Sequence, residues 1–136
     1  MKRIFCVLLA VMLLAALTLP AMAAEKESTI TPRYSYIEGI SASLSINSWG
    51  LTDCYSSSVV YGGDSVVLTC SLQQYNGSTW TTVKSWTATT KPSATIAKNY
   101  GVYSGYTYRV KASCSVYNSS GNLLENGYIY SDEVYY

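Results

Sequence analysis

The chain has no histidine and one phenylalanine among its 136 residues. Without an imidazole there is no Ser-His-Asp or Cys-His arrangement and no His-based zinc or iron site. Charge is scarce too. Charged residues make up 12% of the chain, nine basic against eight acidic, which leaves no electrostatic footprint for nucleic acid. Beyond residue 24 no segment carries apolar residues at i, i+3, i+4 and i+7 over a helix length, so helices are not expected there. The only long apolar run is Ile4 to Leu19, preceded by Lys2 and Arg3 and followed by Pro20 and Ala21-Met22-Ala23-Ala24. That pattern predicts a secretory signal peptide over residues 1–24, with flanks and length that fit poorly to a membrane span. Cleavage before Glu25 removes every Met (Met1, Met12, Met22), Phe5 and Cys6. Roughly 112 residues remain, enough for one small domain. The basic residues fall from nine to seven with the loss of Lys2 and Arg3, against eight acidic. The expected product is a secreted, extracellular bacterial protein with no membrane segment after cleavage.

What remains is rich in hydroxyls and aromatics. All fourteen Tyr and all three Trp survive the cleavage, and together with Val and Thr they are strand-forming residues rather than the composition of a disordered chain. Residues 25–39 mix charges with Pro32 and read as an N-terminal tail, and residues 40–136 as the folded domain. Within the domain, apolar residues alternate with polar ones over 40–47, 51–60, 65–75, 79–87, 93–99, 105–117 and 123–135. Seven strands with one apolar face each and turn signals between them predict an all-β, two-sheet antiparallel sandwich. Asn76-Gly77 is the strongest hairpin signal, and Asn126-Gly127 suggests a bulge in the last strand. Export favours thiol oxidation. Cys54, Cys70 and Cys114 allow one bridge at most, and three pairings are open.

The run Tyr106-Thr107-Tyr108-Arg109-Val110-Lys111-Ala112 resembles the F strand of fibronectin type III and related immunoglobulin-like domains, where an aromatic near the strand start anchors a tyrosine corner. Together with Leu72-Gln73-Gln74-Tyr75 and Trp80-Thr81-Thr82-Val83-Lys84-Ser85-Trp86, residues 40–136 look like small secreted proteins of Gram-positive, clostridia-type bacteria, a domain of unknown function. The resemblance implies an immunoglobulin-like sandwich and brings no activity with it. It also implies a bridge between the second and sixth of these strands, 51–60 and 105–117, which favours Cys54 with Cys114. Cys70 with Cys114 stands as the second choice.

No catalytic, cofactor or metal residues are expected. Asp53 and Asp64, or Asp132 and Glu133, are the only carboxylate pairs a hydrolase or calcium site would draw on, and both read more simply as turn and edge charges. The aromatics are the unusual feature. Trp80 and Trp86 have the same parity on one strand near Tyr75, and if both face outward they form a platform for sugar rings. If the strand bulges, Trp86 belongs to the core. Tyr75, Trp80 and Trp86 are thus the ligand-binding candidates. The expected role is a non-enzymatic binding or adhesion module for glycan or protein, monomeric or weakly self-associating. The rival readings are a self-assembling extracellular protein and a bacteriocin-like or toxin-like effector.

Overall fold

The computed structural model describes residues 35–136; the expected signal peptide and most of the expected tail lie outside them. Alternation builds the fold. Strands β1 (Ile37–Ile46), β2 (Leu51–Val60), β3 (Ser65–Tyr75), β4 (Trp80–Thr90), β5 (Ser93–Gly101), β6 (Thr107–Tyr117), β7 (Leu123–Tyr130) and β8 (Val134–Tyr135) follow one another, and no helix occurs among the described residues. One sheet has the order β1-β2-β5 and the other β4-β3-β6-β7, with β8 also on β6. All pairings are antiparallel, and the buried side chains of both sheets meet in one core.

The central strands carry that core. Val66, Leu68, Cys70 and Leu72 of β3, with Tyr108, Val110, Ala112, Cys114 and Val116 of β6, are fully buried. Each large aliphatic side chain buried in this way contributes about 1.5–3 kcal/mol. The facing strand, β2, offers mostly small polar groups: Thr52, Cys54, Ser56 and Ser58 point inward and only Val60 is a sizeable aliphatic. Thr52 Oγ1 donates to the Tyr100 carbonyl at 2.9 Å and lies 3.3 Å from Cys54 Sγ. Ser56 and Ser58 Oγ have no hydrogen-bond partner of ordinary geometry. The thiols of Cys70 and Cys114 lie beside them. A thiol is a weak donor and acceptor, so it offsets part of the cost of burying each hydroxyl. Hydroxyls and thiols thus form a seam through a core that has no Phe or Met.

No bridge is formed along that seam. All three cysteines are buried free thiols. Cys114 faces Ser58, four residues along β2 from Cys54, which at strand rise is about 13 Å. A disulfide needs Cα atoms within about 7 Å, so the Cys54–Cys114 pairing implied by the family resemblance does not form here. Burial pushes the Cys54 thiol up to about 11, against a smaller downward pull from the Thr52 hydroxyl. Cys70 and Cys114 are raised for the same reason.

The strand boundaries also differ from expectation in ways that have local causes. β1 begins at Ile37, which is buried. The Glu125 carboxylate on β7 accepts the backbone N–H groups of Ser35, Tyr36 and Ile37, each at 2.8 Å, and so fastens the start of β1 to the edge of the other sheet. The bulge in β7 falls at Leu124, between the pairs Val116–Glu125 and Tyr117–Leu123, whereas Gly127 pairs regularly with Cys114. β7 stops at Tyr130 because Ser131 turns the chain: its hydroxyl accepts the Val110 N–H at 2.9 Å and donates to the Asp132 carbonyl at 2.8 Å.

Two hairpins share one turn that the sequence spells as Asn-Ser-x-Gly. Asn47 Oδ1 accepts the N–H groups of Trp49 and Leu51, and Asn118 Oδ1 those of Ser120 and Asn122. In each, the N–H of the glycine, Gly50 or Gly121, donates back to the Asn carbonyl. These glycines have φ of 76° and 80°, as a type I turn closed by a left-handed residue requires. At Gly50 a Cβ would also lie 2.6 Å from the Val102 carbonyl oxygen and 2.9 Å from the Tyr136 ring. Asn76-Gly77 does make a hairpin, but with a four-residue loop in which only Gly77 has positive φ, rather than the two-residue turn its sequence suggests.

Candidate functional site

The outer surface of sheet β4-β3-β6-β7 is built by parity, with one exception. On β3, Gln73 and Tyr75 alternate with buried Leu72 and so face outward. On β6, Arg109 and Lys111 alternate with buried Val110 in the same way. The exception is β4, where Leu72 pairs with Lys84 but Gln73 pairs with Thr82. Val83 is the inserted residue of a β-bulge, and an inserted residue reverses the facing of everything beyond it. Trp80 therefore lies outside, paired with Tyr75, and Trp86 lies on the inner side, paired with Cys70.

Trp86 is thereby removed from the expected platform. Its ring is half-buried against the core and meets Tyr100 of β5 edge-on at 6.4 Å, and it closes the open end of the sandwich between β4 and β5. Trp80 remains on the surface with Tyr75, ring centroids 5.2 Å apart and tilted by 40°. Val83, Trp86 and Ala88 are the half-buried apolar residues of β4 that pack against the core. Their spacing of three and then two is the sign of an inserted residue, legible in the sequence to a reader who looks for it.

Arg109 organises the outer face. Its guanidinium carbon lies 4.0 Å from the centroid of the Trp80 ring and 3.8 Å from that of Tyr130. Trp80 reaches it from the β4 side and Tyr130 from β7, so the cation is held between two rings. Nε donates to Gln73 Oε1 at 2.9 Å, from the residue directly opposite on β3. One strand pair further along, Lys111 Nζ lies 4.4 Å from the Tyr128 centroid and 5.9 Å from that of Tyr130. Tyr128 and Tyr130 are edge-to-face at 5.6 Å. The result is a row across the sheet, Tyr75, Trp80, Arg109, Tyr130, Lys111 and Tyr128, in which rings and cations alternate. Each cation-to-ring contact at such a half-exposed position contributes about 0.5–1 kcal/mol.

The row differs from a flat stacking platform. One face of Trp80 is taken by Arg109, while Tyr75 packs against it at a tilt, and Tyr128 is the most open ring at 58% exposure. Farther along the same face the row gives way to hydroxyl pairs, Thr69 with Thr87 at 3.3 Å and Ser71 with Ser85 at 3.0 Å. Among the described residues no carboxylate engages either cation, and the one ion pair is Lys91 with Asp64 at 3.1 Å, in exposed turns. Of the carboxylates considered from sequence, Asp53 lies apart from Asp64 and accepts a hydrogen bond from Asn99 Nδ2. No group of three or more His, Cys, Asp or Glu residues is clustered for a metal ion among the described residues.

A second surface feature is a shallow groove of about 330 Å³ on the three-stranded sheet, lined by Ser43, Asp53, Tyr55, Lys98 and Asn99 among others. Asp53 pairs with Asn99 and Lys98 with Cys54, so its acid and its cation have opposite parity and form no ion pair among the described residues. No helix among the described residues is long and apolar enough to cross a membrane. No protein-family profile, no curated protein and no solved structure matches the chain.

Proposed function

We propose that the protein is a secreted, non-enzymatic binding module that recognises glycan on the outer face of sheet β4-β3-β6-β7. The observation that carries this reading is the row of four rings interleaved with two cations on one exposed sheet face. Such a row is a costly arrangement for a merely solvated surface, because long side chains lose rotamer freedom when held in place. Tyrosine and tryptophan side chains give rigid, amphipathic contact area, and hydroxyl pairs beside them offer hydrogen bonds, which together suit a sugar chain. The scaffold we read as immunoglobulin-like, in the fibronectin type III manner. Its strand order, three against four with β2, β4 and β5 each followed by a crossing to the other sheet, supports this. So does Tyr108, whose buried ring carries a hydroxyl that donates to the Tyr103 carbonyl at 2.7 Å, five residues upstream, as a tyrosine corner does.

The test is a glycan array probed with the wild-type chain, Tyr128→Ala and Trp80→Ala, each checked by circular dichroism for a retained fold. Binding that both substitutions weaken supports the reading. Binding that neither substitution alters places the ligand elsewhere, and absence of binding to any glycan ends the proposal.

A further inference from the structure

We propose that the glycan is an acidic one, a polysaccharide carrying carboxylates, and that Arg109 is its specificity-determining residue. The inference rests on the glycan reading above and adds the chemistry of the ligand. A guanidinium has five N–H donors, and Arg109 uses Nε alone within the described residues, on Gln73. The two terminal nitrogens keep the planar, forked geometry that matches a carboxylate through two parallel hydrogen bonds. The fork is also held before any ligand arrives. Trp80 and Tyr130 clamp its faces at 4.0 and 3.8 Å, and Gln73 fixes its rotation, so little side-chain entropy remains to be lost on binding.

Charge complementarity points the same way. Arg109 and Lys111 lie two residues apart on one face, about 7 Å at strand rise, with no acid engaging them among the described residues. The chain as a whole is nearly neutral, so a dense polyanion gains no long-range attraction. Two spaced cations with the Tyr130 ring between them and further rings on either side suit a chain of sugars that each bear a single carboxylate. Lys111 acts as a second, less directional positive point, and the exposed Tyr128 supplies the apolar contact for a ring.

The experiment is calorimetric titration of the purified chain with polygalacturonate, with the same polymer methyl-esterified, with a neutral glucan, with heparin and with single-stranded DNA. The expected result is binding to polygalacturonate that weakens as salt rises and is lost on esterification. Arg109→Lys, which keeps the charge and removes the fork, should weaken binding at least about tenfold, a change of roughly 1.4 kcal/mol. Lys111→Gln should weaken it about threefold, and Lys98→Gln, an equal charge change on the other sheet, should leave it intact. Equal binding to esterified or neutral polymers overturns the acidic inference but leaves the glycan module standing. Failure to bind any of the sugars overturns both. Heparin or DNA bound as tightly as polygalacturonate overturns the carboxylate assignment in favour of general polyanion binding. If Arg109→Lys proves unstable, the esterified polymer and Lys111→Gln decide the question without it.

Discussion

Removing the Glu125 carboxylate should loosen the start of β1 in a pH-dependent way. Three backbone N–H groups converge on it at 2.8 Å. Hydrogen bonds to an ionised acceptor contribute about 1.5–3 kcal/mol each where water is excluded. This carboxylate is half-buried at the sheet edge, and screening by the adjoining solvent reduces the set of three to about 1–2 kcal/mol in all. Desolvation, the largest single influence, pushes the carboxyl up, but the N–H groups of Ser35, Ile37 and Tyr36 together outweigh it, and the net position is below the ordinary carboxylate value of 4.5. A carboxyl lowered in the folded state contributes stability that is full above its unfolded pKa and fades as pH falls through the folded one. Glu125→Gln should therefore cost about 1–2 kcal/mol in urea denaturation at pH 7, a fall in Tm of roughly 4–16 °C for a domain of this size. The gap between variant and wild type should narrow as pH drops below 4.5. A gap that is the same at about pH 3 as at pH 7, or no gap at pH 7, would mean that the ionised carboxylate does not anchor β1.

Further consequences can be checked singly. Trp86→Ala, which removes a half-buried ring from the β4–β5 end, should cost about 2–4 kcal/mol, whereas Trp80→Ala on the surface should cost about 1 kcal/mol or less; comparing the two denaturation midpoints tests the Val83 bulge directly. Tyr108→Phe deletes the hydroxyl bond to the Tyr103 carbonyl and should lower stability by about 1 kcal/mol with the fold retained, as read by circular dichroism during unfolding. The three buried thiols, raised in pKa by burial, should resist a thiolate-directed reagent at about pH 8 in the native protein and react in denaturant; rapid native labelling, or an intact mass lowered by the two hydrogens a bridge removes, would contradict the free-thiol core.

Much of the architecture was legible because alternation is a direct consequence of a two-faced sheet. The inward sets of β3 and β6 follow from sequence position alone. Alternation fails at bulges, where one inserted residue changes the facing of all that follows. Trp80 and Trp86 have equal parity in the sequence and opposite facing in the fold, and only the spacing of Val83, Trp86 and Ala88 betrays it. The Arg109 clamp was half legible. Arg109 and Lys111 share an outward face by parity, but that Trp80 reaches across β3 to meet Arg109 depends on strand order and twist, which no local pattern encodes. Glu125 resembles any edge carboxylate until β1 is laid beside β7. The Cys54–Cys114 expectation rests on the family resemblance, which pairs the strands now labelled β2 and β6 without fixing their stagger. The stagger between the sheets decides otherwise, placing Cys114 opposite Ser58.

Whether ligand binds along the Arg109 row can be read residue by residue from backbone amide NMR during titration with short galacturonate oligomers. Shift changes should group on Gln73, Trp80, Arg109, Lys111, Tyr128 and Tyr130, with the indole N–H of Trp80 among them and Trp86 and β1 unmoved. Changes grouped instead on Ser43, Tyr55 and Asn99 of the opposite sheet, or none at saturating oligomer, would contradict binding at this row.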